Sequence, residues 1–228
     1  MTYAISDIHG CYDEYIKLLD KIGFSDDDTL YIIGDICDRG PKPIEVYKDA
    51  MSRKNVHVIL GNHDYMVLQN LVNLMCKDDS GNDDSVSVWT DNGGRTTIDG
   101  ILRLSDDEIM QLIEYISSFS KYEYLTIQSK KYILVHTVPQ DFSEDKSLDE
   151  YDFYQLLWGR PDYNKRYFRD ENTFLVTGHT PTRCIRSDSK NEIYQENGHI
   201  AIDCGCVYGG NLCAYCFEKD EVFYCSHD

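Results

Sequence analysis

The stretch "GDICDRG", Gly34 to Gly40, places two carboxylates, a thiol and a guanidinium directly after the apolar run "LYII". Charge at the end of a buried strand is costly unless something pairs with it. Residues of related type follow other apolar runs: Asp7 and His9 after "TYAIS", Asn62 and His63 after "VHVIL", His136 after "YILV" and His179 after "TFLVT". Taken singly, each has an ordinary explanation: an Asp in a turn, a His bonded to a backbone carbonyl, Asn62 as a helix N-cap. Taken together, imidazole, carboxylate and amide oxygen make a donor set suited to two divalent ions of borderline softness, such as manganese, iron or zinc. A cysteine-rich set would instead indicate a structural zinc.

Such residues act together only if a scaffold brings the strand ends together. "TYAIS", the polar turn "DIHG" and the helix-spaced Tyr15, Leu18, Leu19 and Ile22 form a strand, a loaded loop and a helix that stops at Gly23. The pattern repeats in "LYII" before "IEVYKDAM" and in "VHVIL" before "YMVLQNLVNLMC". Three β-loop-α units predict a parallel or mixed sheet covered by helices, with the loaded loops at its edge. Residues 77 to 104 are polar and glycine-containing, with "WTDNGGRTT" as their distinctive patch, and are expected to form a surface excursion with Trp89 packed in the core. "SDDEIMQLIEYISSF" is a helix with a capping box at Ser105 and Glu108 and a core-facing stripe at Ile109, Leu112, Ile113 and Ile116. Beyond it, "YEYLTIQ", "YILVH", "TFLVTGHT", "HIAIDCG" and a closing hairpin predict a second sheet packed on the first, with a helix at "DFYQLLW". The expected class is therefore mixed α/β, in one domain spanning residues 1–228.

Composition limits the partners. The chain has 228 residues, 40 acidic against 22 basic, and a net charge of −18. That surface repels phosphate backbones, so a nucleic-acid polymer is not expected. The acidic runs "SDDD", "KDDSGNDD" and "SEDKSLDE" read as solvated loops. No apolar stretch approaches the ~20 residues a membrane helix requires, and "MTYAISDIHG" lacks the features of a signal peptide. An odd count of nine cysteines fits a reduced, cytoplasmic setting. Cys204, Cys206, Cys213 and Cys216 could be four zinc ligands, but their spacing favours buried thiols in strands. The oligomeric state is left open.

Five motifs, "DIHG" at 7–10, "GDICDRG" at 34–40, "GNHD" at 61–64, "VH" at 135–136 and "GHT" at 178–180, follow one another along the chain. In this order they resemble the phosphoprotein phosphatase branch of the calcineurin-like metallophosphoesterases. The resemblance implies a four-layer sandwich of two packed mixed sheets flanked by helices. It implies two divalent ions, manganese foremost with iron or zinc as alternatives, held by Asp7, His9, Asn62, His136 and His179, with Asp35 bridging both. His63 matches the family's catalytic histidine and Asp38 the carboxylate that orients it. Arg39 matches a phosphate-binding arginine, and Arg160, in "LLWGRP", a second one. The implied reaction is hydrolysis of a phosphate ester by direct attack of metal-bound hydroxide, without a phosphoenzyme.

Two departures from the pattern bear on the substrate: Asp64 stands where this branch usually has Glu, and Thr137 and Val138 where it usually has a small pair. A serine/threonine protein phosphatase is the first expectation. Hydrolysis of a dinucleoside polyphosphate such as diadenosine tetraphosphate is the alternative, because "WTDNGGRTT", "IDCGCVYGG" and "GNHD" resemble segments of diadenosine tetraphosphatases. A catalytically silent phospho-recognition module is disfavoured, since no ligand position is lost. Cys37 reads as a small apolar residue pointing into the core rather than as a redox switch.

Overall fold

A computed structural model describes residues 1–76 and 83–226. In the first sheet β1 (Thr2–Ile5), β2 (Thr29–Ile33) and β3 (Val56–Ile59) are parallel neighbours, with Tyr3 opposite Leu30 and Leu30 opposite Val56. They alternate with α1 (Tyr12–Ile22), α2 (Pro43–Ser52) and α3 (Asn62–Cys76), the three β-loop-α units expected. The second sheet holds β4 (Tyr122–Ile127), β5 (Lys130–Val135), β6 (Thr173–Thr177), β7 (Tyr194–Glu196) and β8 (His199–Ala201) in the order β4-β5-β6-β8-β7, with β5, β6 and β8 parallel. The closing hairpin, β9 (Asn211–Cys216) and β10 (Glu221–Ser226), returns to the first sheet and lies antiparallel to β1, giving β10-β9-β1-β2-β3.

Side chains on a strand alternate faces, and here both faces of each sheet are covered. Tyr3, Ile5, Leu30, Ile32, Leu212 and Ala214 pack under the helices of the first sheet. Their neighbours Ala4, Ile33, Cys213 and Tyr215 turn the other way and meet Tyr132, Leu134, Val176 and Ile200 of the second sheet. Val135 and Leu175 face a third cluster with Phe142, Tyr151 and Leu156. Strands buried on both faces explain why the sequence shows continuous apolar runs rather than alternation.

The remaining helices are α4 (Asp83–Trp89), α5 (Arg95–Ile101), α6 (Asp106–Ser117) and α7 (Phe153–Trp158). The Ser105–Glu108 capping box starts α6 as its sequence predicts. α1 ends at Gly23 in the left-handed conformation (φ 64°), its N–H returning to Asp20 and Leu19. The surface excursion expected over 77–104 is not what residues 83–104 form; positions 77–82 of that stretch, with most of the "KDDSGNDD" run, lie outside the described residues. α4, a π-helical turn at 90–94 and α5 pack against α3 and α2, and Trp89 and Thr97 are buried. Their polarity misled because it is spent inward, on one buried carboxylate. Among the described residues no helix is long and apolar enough to cross a membrane.

Candidate active site

The C-terminal ends of the parallel strands in both sheets open onto one cleft. β1 leads to Asp7 and His9, β2 to Asp35, Asp38 and Arg39, β3 to Asn62 and His63, β5 to His136 and β6 to His179. The loops are laced to each other by the backbone: Asp7 N–H donates to Gly34 O (3.0 Å), His9 N–H to Asp35 O (3.0 Å) and Gly178 N–H to His136 O (3.1 Å). Asp7, His9, Asp35, Asp38, Arg39 and His179 all have φ between 46° and 69°. Non-glycine residues rarely take this conformation, which costs on the order of 1–3 kcal/mol each and persists only where the surroundings over-determine it. Two glycines let the loops close: a Cβ on Gly61 would lie 2.2 Å from Asp35 Oδ1, and one on Gly178 2.2 Å from Asp7 Oδ2.

Two groups of donor atoms meet at Asp35. His9, Asp35 and His63 form one, and Asp35, His136 and His179 the other, each with its ligand atoms within 4.8 Å. Asp35 Oδ2 is 3.7 Å from His9 Nε2 and 3.5 Å from His136 Nε2. Backbone carbonyls set both tautomers, since His9 Nδ1–H donates to Cys37 O (2.7 Å) and His136 Nδ1–H to Ile33 O (3.0 Å). His136 Nε2 therefore turns a lone pair towards Asn62 Oδ1 at 3.0 Å, itself an acceptor, and lies 3.1 Å from His179 Nδ1. His179 Nε2 is buried without a hydrogen-bond partner among the described residues. Acceptors converging on one another at these distances need a cation among them, so the residues fit the two divalent ions the family pattern implies. Asp7 completes the carboxylate set from beneath, receiving the His179 N–H at 3.1 and 3.0 Å.

The electrostatics agree. Burial, with Asp203 and Asp35 close by, pushes Asp7 well above the usual carboxylate range. Burial works against the charge on Asp35 too, but His136, His63 and His9 outweigh it and hold its carboxyl below that range. Burial lowers His136, and burial together with neighbouring His63 lowers His9, favouring the neutral imidazoles that ligate metals.

Behind these groups lies a second layer of contacts. His63 Nδ1 is 2.7 Å from Asp38 Oδ2, and Asp38 is completely buried. The same carboxylate receives Trp89 Nε1–H (3.0 and 2.9 Å) and Thr97 Oγ1–H (2.6 Å), while Thr97 Oγ1 accepts the Asp38 N–H (2.9 Å). Arg39 is anchored by its N–H to Gly93 O (2.9 Å) and sends Nη2 to His63 Nε2 (2.7 Å), with a close contact from Nη1 to His9. Its guanidinium also lies over the Tyr208 ring, 5.5 Å from the centroid, with Arg183 over the same ring at 5.4 Å. Arg160 stands apart: it is exposed and reaches only the Gly159 carbonyl (3.2 Å), although its charge is close enough to act on His136.

Three residues of the site escaped the sequence reading. Asp64 accepts Asp35 N–H (2.8 Å), Ile36 N–H (3.2 Å), Gly61 N–H (3.2 Å) and Tyr47 O–H (2.6 Å), tying the "GDIC" and "GNHD" loops together. Burial and the Asp35 charge push its pKa up to about 7. Asp203, similarly raised to about 7 by burial, follows β8 as the candidate site residues follow their strands, which was the available signal. Trp89 was expected in the core and is there, but as a hydrogen-bond donor to Asp38. Cys37 is fully buried in the first core, and burial raises its thiol, as a packing role requires. The four cysteines weighed as zinc ligands do not gather: Cys213 pairs with Cys204 and Cys206 with Cys11.

A sequence model of calcineurin-like phosphoesterases matches residues 2–222. The chain is 28% identical over 246 residues to the asymmetrical bis(5'-nucleosyl)-tetraphosphatase PrpE of Halalkalibacterium halodurans, an alignment that covers 95% of this chain and 90% of that protein. A shorter alignment, 54% identical over 65 residues, links 28% of this chain to 24% of the symmetrical bis(5'-nucleosyl)-tetraphosphatase of Buchnera aphidicola. In three dimensions it superposes on a crystal structure assigned provisionally as a diadenosine tetraphosphatase with a TM-score of 0.67 and 19% identity, covering 99% of this chain and 92% of that one.

Proposed function

The chain belongs to the calcineurin-like phosphoesterase family and is a metal-dependent phosphoric-ester hydrolase, and from that premise we propose that it hydrolyses dinucleoside polyphosphates such as diadenosine tetraphosphate. The observation that carries this reading is the near end-to-end similarity to a tetraphosphatase, 95% of this chain against 90% of the relative. It reverses the order in which the motifs alone ranked the substrates, where a serine/threonine protein phosphatase came first.

A cluster of aromatic side chains beside the loop of His136 supplies a second support. Tyr65 packs edge-on to Phe153 (5.2 Å), Tyr154 (5.9 Å) and Trp158 (6.1 Å), while Tyr154 and Trp158 stack at 5.4 Å and are 51% and 39% exposed. Thr137 Oγ1–H donates to Gly159 O (3.0 Å), which fastens this aromatic ledge to the loop of His136. Exposed ring faces beside a phosphate-binding edge suit a nucleobase, worth about 1–3 kcal/mol per stacked base.

In this reading Asp7, His9, Asp35, Asn62, His136 and His179 hold two divalent ions, manganese first among the candidates. When bound, such ions polarise phosphoryl oxygens and lower the pKa of a water. Arg39 exchanges its contact with His63 for a phosphate oxygen, and Arg160 swings in from the surface to a second one; both guanidinium forks match phosphate geometry. Asp38, fixed by Trp89 and Thr97, keeps the His63 ring oriented and stabilises its cationic form. Nε2, freed from Arg39, takes a proton from solvent and delivers it to the leaving oxygen. An alkoxide needs that proton far more than a nucleotide phosphate does. His63→Ala is accordingly expected to lose about 10²- to 10⁴-fold on an alkyl phosphate and much less on diadenosine tetraphosphate or nitrophenyl phosphate; equal losses would remove the general-acid role.

The deciding experiment reconstitutes metal-free protein with manganese, zinc or magnesium and compares kcat/KM on diadenosine tetraphosphate and on phosphopeptides. A preference for the dinucleotide is expected. A preference for any phosphopeptide would restore the protein-phosphatase reading.

A further inference from the structure

Outside the catalytic cleft, Cys11, Glu14 and Cys206 point their ligand atoms at one place, all within 4.8 Å of one another. Exposure is 0%, 7% and 1%, so the three lie inside the first core rather than on the surface. The elements explain the convergence. Cys11 is the N-cap of α1 and Glu14 lies in its first turn, three residues on and therefore on the same side. Cys206 opens the short helical turn Cys206–Tyr208, which Gly205 in the left-handed conformation (φ 69°) redirects from the loop after Asp203 towards α1. A further thiol, Cys225 of β10, packs against the same core, although its sulfur is not among the ligand atoms that lie within 4.8 Å of one another. Cys11, Glu14 and Cys225 lie outside the segments that carry the phosphoesterase resemblance, and Cys206 lies in "IDCGCVYGG".

We propose that Cys11, Cys206 and Glu14, with Cys225 as the fourth donor, form a structural zinc site separate from the catalytic centre. Thiolates with one carboxylate are a soft donor set that selects zinc, whereas the nitrogen and oxygen donors of the cleft suit several divalent ions. Zinc–sulfur bonds of about 2.3 Å place neighbouring ligand atoms a little under 4 Å apart, within the 4.8 Å that bounds the spacing of this group. On binding, each thiol gives its proton to solvent and the metal takes its place, so the ion offsets the charge of the carboxylate and thiolates. The site joins the loop that follows His9 to the segment that follows Asp203, two strand ends of the cleft that are nearly the whole chain apart in sequence.

Cobalt substitution tests this on the full chain. Cobalt bound to nitrogen and oxygen gives no thiolate-to-cobalt charge-transfer band in the near ultraviolet, so the catalytic centre is silent in that region. Wild-type protein stripped by chelator and saturated with Co²⁺ is expected to show the band and, refilled with zinc, to hold one equivalent more than Cys206→Ser. The band should disappear in Cys11→Ser and Cys206→Ser and remain in Cys213→Ser, which alters a buried thiol elsewhere. Absence of the band in saturated wild-type protein overturns the proposal whether or not the variants fold. Survival of the band in the Cys11→Ser/Cys206→Ser double variant overturns it as well, as does an intact mass two hydrogens short in metal-free protein, which would identify a Cys11–Cys206 disulfide instead.

Discussion

At the first sheet's edge, Asp64 gathers three backbone N–H groups and the Tyr47 hydroxyl, and Asp38 gathers Trp89, Thr97 and His63, so every charged group there already has partners within the chain. At the second sheet's edge, His179 Nε2 is buried with no hydrogen-bond partner among the described residues and Arg160 lies exposed on its neighbour's carbonyl. The first edge is preorganised by the protein; the second is completed by what binds. This division suits a hydrolase whose acid and phosphate groups must be aimed before substrate arrives, at a cost in strain already visible in six left-handed residues.

Removing the residue common to both edges should have the largest effect. Asp35→Ala takes away the carboxylate shared by the two donor groups, and is expected to abolish binding of two ions and to reduce kcat by about 10³-fold or more. A variant that still holds both ions by elemental analysis would contradict the bridging assignment. Breaking the preorganised edge without touching a ligand is the next test: Asp64→Ala leaves buried N–H groups unsatisfied and should cost about 3 kcal/mol in denaturant unfolding. A loss below about 1 kcal/mol would mean the loops hold each other without it.

On the second sheet, His199 sharpens the contrast through pH. It is fully buried, stacked on Tyr163 (4.8 Å between centroids) and bonded to Thr177 Oγ1 (2.8 Å), and burial lowers its pKa from 6.5 to about 3. A lowered pKa in the folded state means the unfolded chain binds the proton more tightly below pH 6.5. Stability is therefore complete above pH 6.5 and falls as pH drops towards 3, by about 2 kcal/mol between pH 6.5 and 5. His199→Gln should flatten that slope, and an unchanged slope would place the acid sensitivity elsewhere. The smallest effect is expected of Trp89→Phe, which keeps the packing and removes one donor to Asp38: roughly tenfold in kcat on an alkyl phosphate, with little change in KM. A change confined to KM would detach Trp89 from the orientation of His63.

Much of this was legible before any coordinates. Strand ends loaded with Asp, His and Asn announce themselves because a buried strand is apolar and the loop after it is short, so chemistry-bearing residues stand out against their neighbours. Asp203 obeyed the same rule and was passed over, since it lies in a cysteine-rich segment that drew attention to zinc. Asp64 was noted only as a departure from a pattern, because the number of donors around a carboxylate does not show in its neighbours along the chain. Trp89 is expected in the core and Thr97 within a polar stretch, and no local periodicity could show that their polar atoms converge on Asp38.

The sequence by itself therefore determined the order of the β-loop-α units, the presence of two sheets and the donor types, because continuous apolar runs, helical spacing and strand-end position are local properties, while the place of the closing hairpin in the first sheet is not. Only the tertiary structure decided which donors share a site, which cysteines meet, and which carboxylates are held by the protein rather than left for a ligand. Those depend on how residues far apart in the chain approach one another, as Cys11 and Cys206 do across the first core.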